Sequence, residues 1–424
     1  MQVLVSPIVD AIEGLVRTFL AKRNIKSLPN LTGLPLNDDY LILVAAYNEA
    51  TRPSNTHGLS RLEKHLEVLR PWQDKIILVD DGSTDCTAKI AREAGYNVFR
   101  SEENGHKSGS ILKVLRSLNT EYVVIADLDT YPDPNTSSLE DIARLVGWVD
   151  AAGLGGSCAT LLPYIRSTPV FNFGSFSVFV AALNDWGSYC LEILQLAEYV
   201  LAMRLTRASQ NTPDNQHIMT ISGGFGVYRR EPYMQACTQF GRHPDRFMGM
   251  EDVFNTSEIA GMGLRTGYMP DVVVRTEVPF TIQGLVKQRD SWERATIRNG
   301  LIHFRMLLHR PGYRLEAAWI YFHVILLRPF KFLSVGPFLA YGIVHPDLLL
   351  SWYVSYVVIL IVLLRIYSTT AEFRQIRLVI LLLPVYSVVM NTFVYTKAWL
   401  EEILFQLGKR DREARFQAQA NDFP

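Results

Sequence analysis

The sequence predicts an α/β domain built on a doubly wound, mostly parallel sheet, followed by interfacial helices and an α-helical transmembrane region of about three spans. Three observations carry that expectation. Between Tyr40 and Pro134 apolar β-type runs end in acids or polar loops and lead into short helices, the alternation that builds parallel sheets. One of these runs, Tyr122-Val123-Val124-Ile125-Ala126, is followed by Asp127-Leu128-Asp129 and stopped by Tyr131, Pro132 and Pro134. Polar residues dominate the first two thirds of the 424-residue chain, and the last third is strongly apolar.

Composition narrows the function. Lysine plus arginine and aspartate plus glutamate both total 42, so no overall field selects nucleic acid as a partner. Nine histidines with no His-x-x-x-His or Cys-x-x-Cys spacing argue against zinc. Cys86, Cys158, Cys190 and Cys237 are far apart and read as reduced thiols facing a cytosol.

At the N-terminus, Asp10, Glu13 and Arg17 break the apolar core that a signal peptide would need. Ile8, Val9, Ile12, Leu15, Val16, Phe19 and Leu20 instead form a helical stripe, suited either to a membrane surface or to docking on the next domain. From Tyr40 to Ala46 a buried strand leads to Tyr47-Asn48-Glu49, and a helical segment follows at 59–69. The clearest unit is a strand over 75–79, the acids Asp80 and Asp81, a turn at Gly82, an N-cap at Ser83 or Thr84 and a helix to Gly95. Val98 starts a short strand, and Asn104 to Gly109 open a helix through Leu118.

Acids just beyond a buried parallel strand stand where open α/β sheets bind ligands. Asp127 and Asp129 there suit a hard divalent cation that also takes diphosphate oxygens. A lone D-x-D reads more readily as solvated acids at a strand end, so its neighbours must decide.

Further on, 185–209 reads as a long helix, 218–228 as a β-like run in which Gly223, Gly224 and Gly226 let backbone approach a ligand or form a bulge, 248–261 as a turn with Glu251-Asp252 and a helix, and 271–276 as a strand. Residues 281–310 predict a basic amphipathic helix at the membrane surface. Apolar runs at 348–364 and 378–399 predict spans. A third, over 315–344, is broken by Arg328, Pro329 and Lys331. Arg365, Arg374 and Arg377 place the last connection on the cytosolic side, whereas the basic tail at 409–415 argues against that orientation. The expected organisation is therefore an N-terminal helix and linker (1–37), a catalytic domain (38–280), an interfacial helix (281–313), transmembrane helices (314–400) and a basic tail (401–424).

The ordered series Tyr47-Asn48-Glu49, Asp80-Asp81-Gly82-Ser83-Thr84-Asp85, Gly105-His106-Lys107, Asp127-Leu128-Asp129, Glu251-Asp252 and Gln288-Arg289-Asp290-Ser291-Trp292 resembles membrane-bound family 2 glycosyltransferases, over roughly residues 38 to 400. The processive synthases of hyaluronan, chitin, cellulose and Nod-factor chitooligosaccharides are the group it is most similar to. The resemblance implies a GT-A sheet, a UDP-sugar donor, Mg²⁺ or Mn²⁺ as cofactor, and a growing glycan or a lipid as acceptor. It makes Tyr47, Glu49, Asp80, Asp81, Lys107 and Asp127 the donor-binding set, with Tyr47 stacking on the base and Lys107 meeting the diphosphate at a helix start. Asp129 becomes the principal metal ligand, with Asp127 beside it. Asp252 becomes the general base, and one base without a covalent nucleophile implies inversion. Gly223, Gly224, Gln288, Arg289, Trp292 and Arg294 fall to the acceptor and diphosphate.

Two departures stand out. Ser291 occupies the arginine position of the family's Q-x-x-R-W motif, and Arg294, three residues on, is the candidate replacement. Three spans hardly enclose a polysaccharide channel. The expected setting is the plasma membrane with the catalytic domain in the cytosol, among membrane lipids, without nucleic acid, and with homo-oligomerisation open. The alternatives are transfer of a single sugar to a membrane lipid such as a ceramide or polyprenyl phosphate, and an inactive membrane scaffold.

Overall fold

The computed structural model describes residues 5–51, 61–165, 176–211, 218–242, 251–308, 337 and 340–406. Within them, one compact unit comprises 25–161 and 210–276, and the other comprises 5–24, 162–209 and 277–406.

The first unit is an eight-stranded sheet. Its strands are β1 (Tyr40–Ala46), β2 (Ile76–Asp80), β3 (Asn97–Arg100), β4 (Tyr122–Asp127), β5 (Thr130–Pro132), β6 (Leu154–Pro163), β7 (Phe225–Arg229) and β8 (Arg265–Thr276), in the order β3-β2-β1-β4-β7-β6-β8-β5. The half from β3 to β4 is parallel, as its buried apolar runs predict. The other half is not: β7 runs antiparallel to β4 and to β6, and β5 runs antiparallel to β8. The sheet is therefore mixed, not mostly parallel. The parallel half is joined by helices Arg61–Leu69, Thr87–Glu93 and His106–Leu115. The antiparallel strand β7 enters the sheet after the long segment that belongs to the second unit, so no βα crossover sets its direction.

The core of this unit is continuous. Ile42, Val44, Leu78, Val124 and Val227 from the sheet pack with Leu62, Leu66, Ile142, Val146 and Trp148 from helices Arg61–Leu69 and Leu139–Ala151. Two strand boundaries differ most from expectation. The β-like run over 218–228 becomes a strand only from Phe225, because Gly223 and Gly224 form a turn. The strand read over 271–276 begins earlier, at Arg265.

The second unit is helical. Helix Val5–Ser27 buries Ala21 and Asn24, whose Nδ2 donates to the carbonyl of Ala208 at 2.8 Å. Helix Phe176–Val200 passes into a π-helical turn, Leu201–Arg207. Helix Ile282–Leu308 is the predicted basic helix, but three of its arginines are paired inside the protein. Arg289 forms a two-point ion pair with Glu198, Arg298 one with Glu402, and Arg294 contacts Asp290 and Glu401.

Among the described residues, two helical stretches are long and apolar enough to cross a membrane: Pro346–Tyr367, with mean hydropathy 2.2, and Ile380–Phe405, with mean hydropathy 1.3. The first exposes Leu350, Val354, Val358 and Val362. The second is interrupted by a π-helical turn at Met390–Tyr395. Most of the third expected span, 315–344, lies outside the described residues, as does the tail beyond 406.

Candidate active site

The site is assembled at the carboxyl edge of the first unit's parallel strands, from the loops that follow β1, β2 and β4. After β1, Asn48 adopts a left-handed backbone at φ 51°. Its amide donates to Ser83 Oγ at 2.9 Å, and its side-chain oxygen accepts from the Thr84 amide at 2.9 Å. The next residue, Glu49, is nearly buried and donates its amide to Thr87 Oγ1 at 2.9 Å. These bonds lock the first loop to the second. The spacing predicts a helix cap at Ser83 or Thr84, but neither caps the helix. The helix starts at Thr87, and Asp85 Oδ1 accepts from the Thr87 amide at 2.9 Å.

After β2, Asp80 is fully buried, accepts from Ser83 Oγ and lies 3.4 Å from Arg100 Nε. Asp81 accepts from the Gly105 amide at 2.8 Å and from Ser110 Oγ. Burial raises its pKa above the ordinary carboxylate value despite those two donors. Gly82 must be glycine: its φ is 73°, and a Cβ there would come within 2.7 Å of the Glu103 backbone. Tyr47 stands at the same edge, half-buried.

After β4, the Asp127 amide donates to the Gly224 carbonyl at 3.1 Å. The Lys107 ammonium donates to Asp127 Oδ1 and, at 2.7 Å, to the Gly223 carbonyl. The Gly223 amide in turn donates to Asp252 Oδ2 at 3.0 Å, and the Val253 amide donates to Asp252 Oδ1 at 2.8 Å. The turn of Gly223 and Gly224 thus lies between Asp127 and Asp252. A Cβ on Gly223 would sit 3.3 Å from the Asp252 Cβ, so this glycine makes room for the acid.

Charge is concentrated here. Burial works against the Lys107 ammonium, but Asp127, Glu251 and Asp252 outweigh it and hold its pKa above the usual lysine value. Glu251 is pushed up by burial, with Lys107 giving partial relief and Asp252 adding to the rise.

One residue of the cluster escaped the sequence reading. Arg61 begins helix Arg61–Leu69 and reaches Glu49 Oε2 at 3.2 Å with Nη1 and Asp129 Oδ2 at 3.0 Å with Nη2. No spacing signal marks it, because the pairing spans two loops.

The carboxylates fit a divalent cation in kind. Both supply hard oxygens, and each already faces positive charge from the chain: Asp127 meets Lys107 and Asp129 meets Arg61. Among the described residues no three His, Cys, Asp or Glu side chains gather at one point, so the rest of the coordination shell would come from elsewhere.

The residues of the Q-x-x-R-W-like motif lie in the other unit. Arg289 is 1% exposed, its guanidinium lies 4.4 Å from the Trp292 ring, and it also donates to Gln288 Oε1 at 2.5 Å. Tyr386 donates to Glu198 at 2.7 Å and completes the cluster. Arg294 is held by Asp290 at 3.1 Å and Glu401 at 3.2 Å.

Comparison with known proteins gives this arrangement a context. The profile of Glycosyl transferase family 2 matches residues 41–236. An N-acetylglucosaminyltransferase of Azorhizobium caulinodans is 24% identical over 242 residues, 54% of this chain and 54% of that protein. A hyaluronan synthase of Streptococcus pyogenes is 23% identical over 313 residues, 69% of this chain and 65% of that protein. The chain spans about half the length of the first curated relatives it matches. A mannosyltransferase from Pyrobaculum calidifontis, solved in complex with GDP-Man and Mn²⁺, shares the fold at a TM-score of 0.53 and 18% identity, covering 90% of this chain and 99% of that one.

Proposed function

Because residues 41–236 form a glycosyl transferase family 2 domain, we propose that this chain is an inverting, metal-dependent hexosyltransferase. It takes a UDP-sugar and builds a β-linked polysaccharide or oligosaccharide at a membrane. The observation that carries the reading is the short path from Asp127 through Lys107 and Gly223 to Asp252.

In this reading the β1 and β2 loops take the nucleoside, with Tyr47 against the base and Asp80, Asp81 and Glu49 lining the pocket. Asp129 and Asp127 would hold Mg²⁺ or Mn²⁺, which neutralises charge on the leaving diphosphate when bound. Lys107 adds a fixed positive charge beside Asp127. The two backbone amides on Asp252 orient its carboxylate. Asp252 takes the hydroxyl proton as the acceptor oxygen bonds to the anomeric carbon, and the bond to the diphosphate breaks on the opposite side. One displacement inverts the centre, so an α-linked donor gives a β-linked product. Gln288 and Trp292 share a helix face and would serve the acceptor sugar.

The membrane setting is supported by the two apolar helices. Arg365, Arg374 and Arg377 between them favour a cytosolic connection, and four free cysteines agree with a reducing compartment. The plasma membrane is the proposed location.

A second reading is single-sugar transfer to a membrane lipid. It is favoured by the small number of apolar helices, two among the described residues, which enclose no channel by themselves. Incubating membranes with labelled UDP-glucose, UDP-N-acetylglucosamine, UDP-glucuronate or GDP-mannose and Mg²⁺ or Mn²⁺ separates the readings. A ladder or high polymer from a UDP-sugar supports the first, one organic-soluble product supports the second, and absence of metal-dependent nucleotide release indicates an inactive scaffold.

A further inference from the structure

Arg61 occupies an unusual place for a cation. It lies at the edge where β1 and β4, neighbours in the sheet, deliver Glu49 and Asp129. Its two terminal nitrogens divide between these acids, one from each loop. Asp129 Oδ2 belongs to the carboxylate that would hold a divalent metal at this site. A guanidinium 3.0 Å from that oxygen and a doubly charged ion bound to it would repel each other strongly in a partly desolvated cleft. Arg61 and Asp129 are only 17% and 25% exposed in their side chains, so water screens the pair incompletely. The guanidinium fork also suits phosphate as well as it suits carboxylate.

We propose that Arg61 is an exchangeable counter-ion for Asp129, displaced by the incoming metal–nucleotide complex and transferred to the diphosphate while Glu49 keeps hold of its other arm. This inference rests on the donor and metal roles assigned to the site above. It gives the chain a way to neutralise Asp129 before substrate arrives, and it couples metal binding to nucleotide binding. The cation frees the guanidinium, and the freed guanidinium strengthens the hold on the diphosphate. Such coupling is reciprocal, so each ligand must raise the affinity for the other by the same factor.

The test uses the purified full-length chain in detergent, with Mn²⁺ binding followed by electron paramagnetic resonance and UDP binding by calorimetry. Arg61→Gln removes the competing charge. It should bind Mn²⁺ alone roughly tenfold more tightly than the wild type, and UDP in the presence of Mn²⁺ roughly tenfold more weakly, each being the effect of about one charge-assisted hydrogen bond. Arg61→Lys keeps the charge and guards against a folding defect. It should leave the affinity for Mn²⁺ alone near the wild-type value and still weaken UDP, because a point charge lacks the fork. An unchanged or lower affinity of Arg61→Gln for Mn²⁺ alone, or unchanged UDP affinity, overturns the inference. If the wild type itself binds no Mn²⁺ with UDP present, the assignment of the site fails and takes this inference with it. Normal wild-type binding with no effect of Arg61→Gln defeats the inference alone.

Discussion

Gly223 donates its amide to Asp252 at 3.0 Å while its carbonyl accepts from Lys107 at 2.7 Å. A single residue therefore ties the candidate base to the lysine that pairs with Asp127. Asp252 and Asp127 are consequently positioned by the same turn, and a change at either end is transmitted through few bonds.

Asp252→Asn keeps the shape and can still accept from Gly223, but it loses the proton acceptor. The turnover rate should fall by about 10²–10⁴, with UDP affinity retained. Steady-state kinetics with a UDP-binding control checks this. A variant that turns over within a few-fold of wild type would remove Asp252 from the chemistry.

Lys107→Met removes the positive charge that faces Asp127, Glu251 and Asp252. Three acids then lack that counter-charge, and because the Asp127 side chain is 44% exposed, solvent screens part of the loss and the cost is about 1–2 kcal/mol. The variant should melt several degrees lower and lose activity. Double replacement with Asp127→Asn should recover part of the stability but none of the activity, because the unbalanced charge is relieved and the proposed metal ligand is gone.

Arg289 is enclosed by Glu198, Gln288 and the Trp292 ring. Its removal should act on stability first: Arg289→Ala costs about 3 kcal/mol because Glu198 loses its charged partner and keeps only the Tyr386 hydroxyl. Arg289→Lys should rescue poorly, since one ammonium cannot span both Glu198 oxygens. Thermal melts of the detergent-solubilised chain report this. Unaltered melting together with a raised donor KM would instead assign Arg289 to the diphosphate.

The raised pKa of Asp81 makes stability depend on pH. Below the ordinary carboxylate range both folded and unfolded chains hold the proton, and Asp81 contributes no slope. As pH rises, the unfolded chain releases its proton first, so stability falls until the folded group has also ionised. Asp81→Asn has no such proton. Relative to wild type, its stability should therefore improve as pH rises above the ordinary carboxylate value and until the folded Asp81 has ionised, measured as the difference between denaturation midpoints at each pH. A constant or worsening difference contradicts the burial argument.

Much of the parallel half was legible because its signal is local and redundant. Runs such as Tyr40–Ala46 and Tyr122–Asp127 are buried on both faces, and apolar residues on both sides of a strand leave few alternatives. The acids at their ends could be placed with them. The antiparallel half was less legible. The glycines around 223–226 obscure where β7 starts, and its direction follows from a chain path that leaves the sheet for another unit. The least legible features were pairings between distant segments. Periodicity presents Arg289 and Arg298 as a basic helix face, yet each is matched by a glutamate from another helix, Glu198 and Glu402. Arg61 carries no motif, and only the folded chain brings it to Glu49 and Asp129.

The most direct test of the central claim is metal-dependent UDP binding and sugar transfer measured side by side on wild type, Asp129→Asn and Asp252→Asn. Asp129→Asn should lose Mn²⁺-dependent UDP binding and transfer together, whereas Asp252→Asn should bind UDP with Mn²⁺ like wild type and lose transfer alone. Wild-type UDP and Mn²⁺ binding by Asp129→Asn, or wild-type transfer by Asp252→Asn, would contradict it.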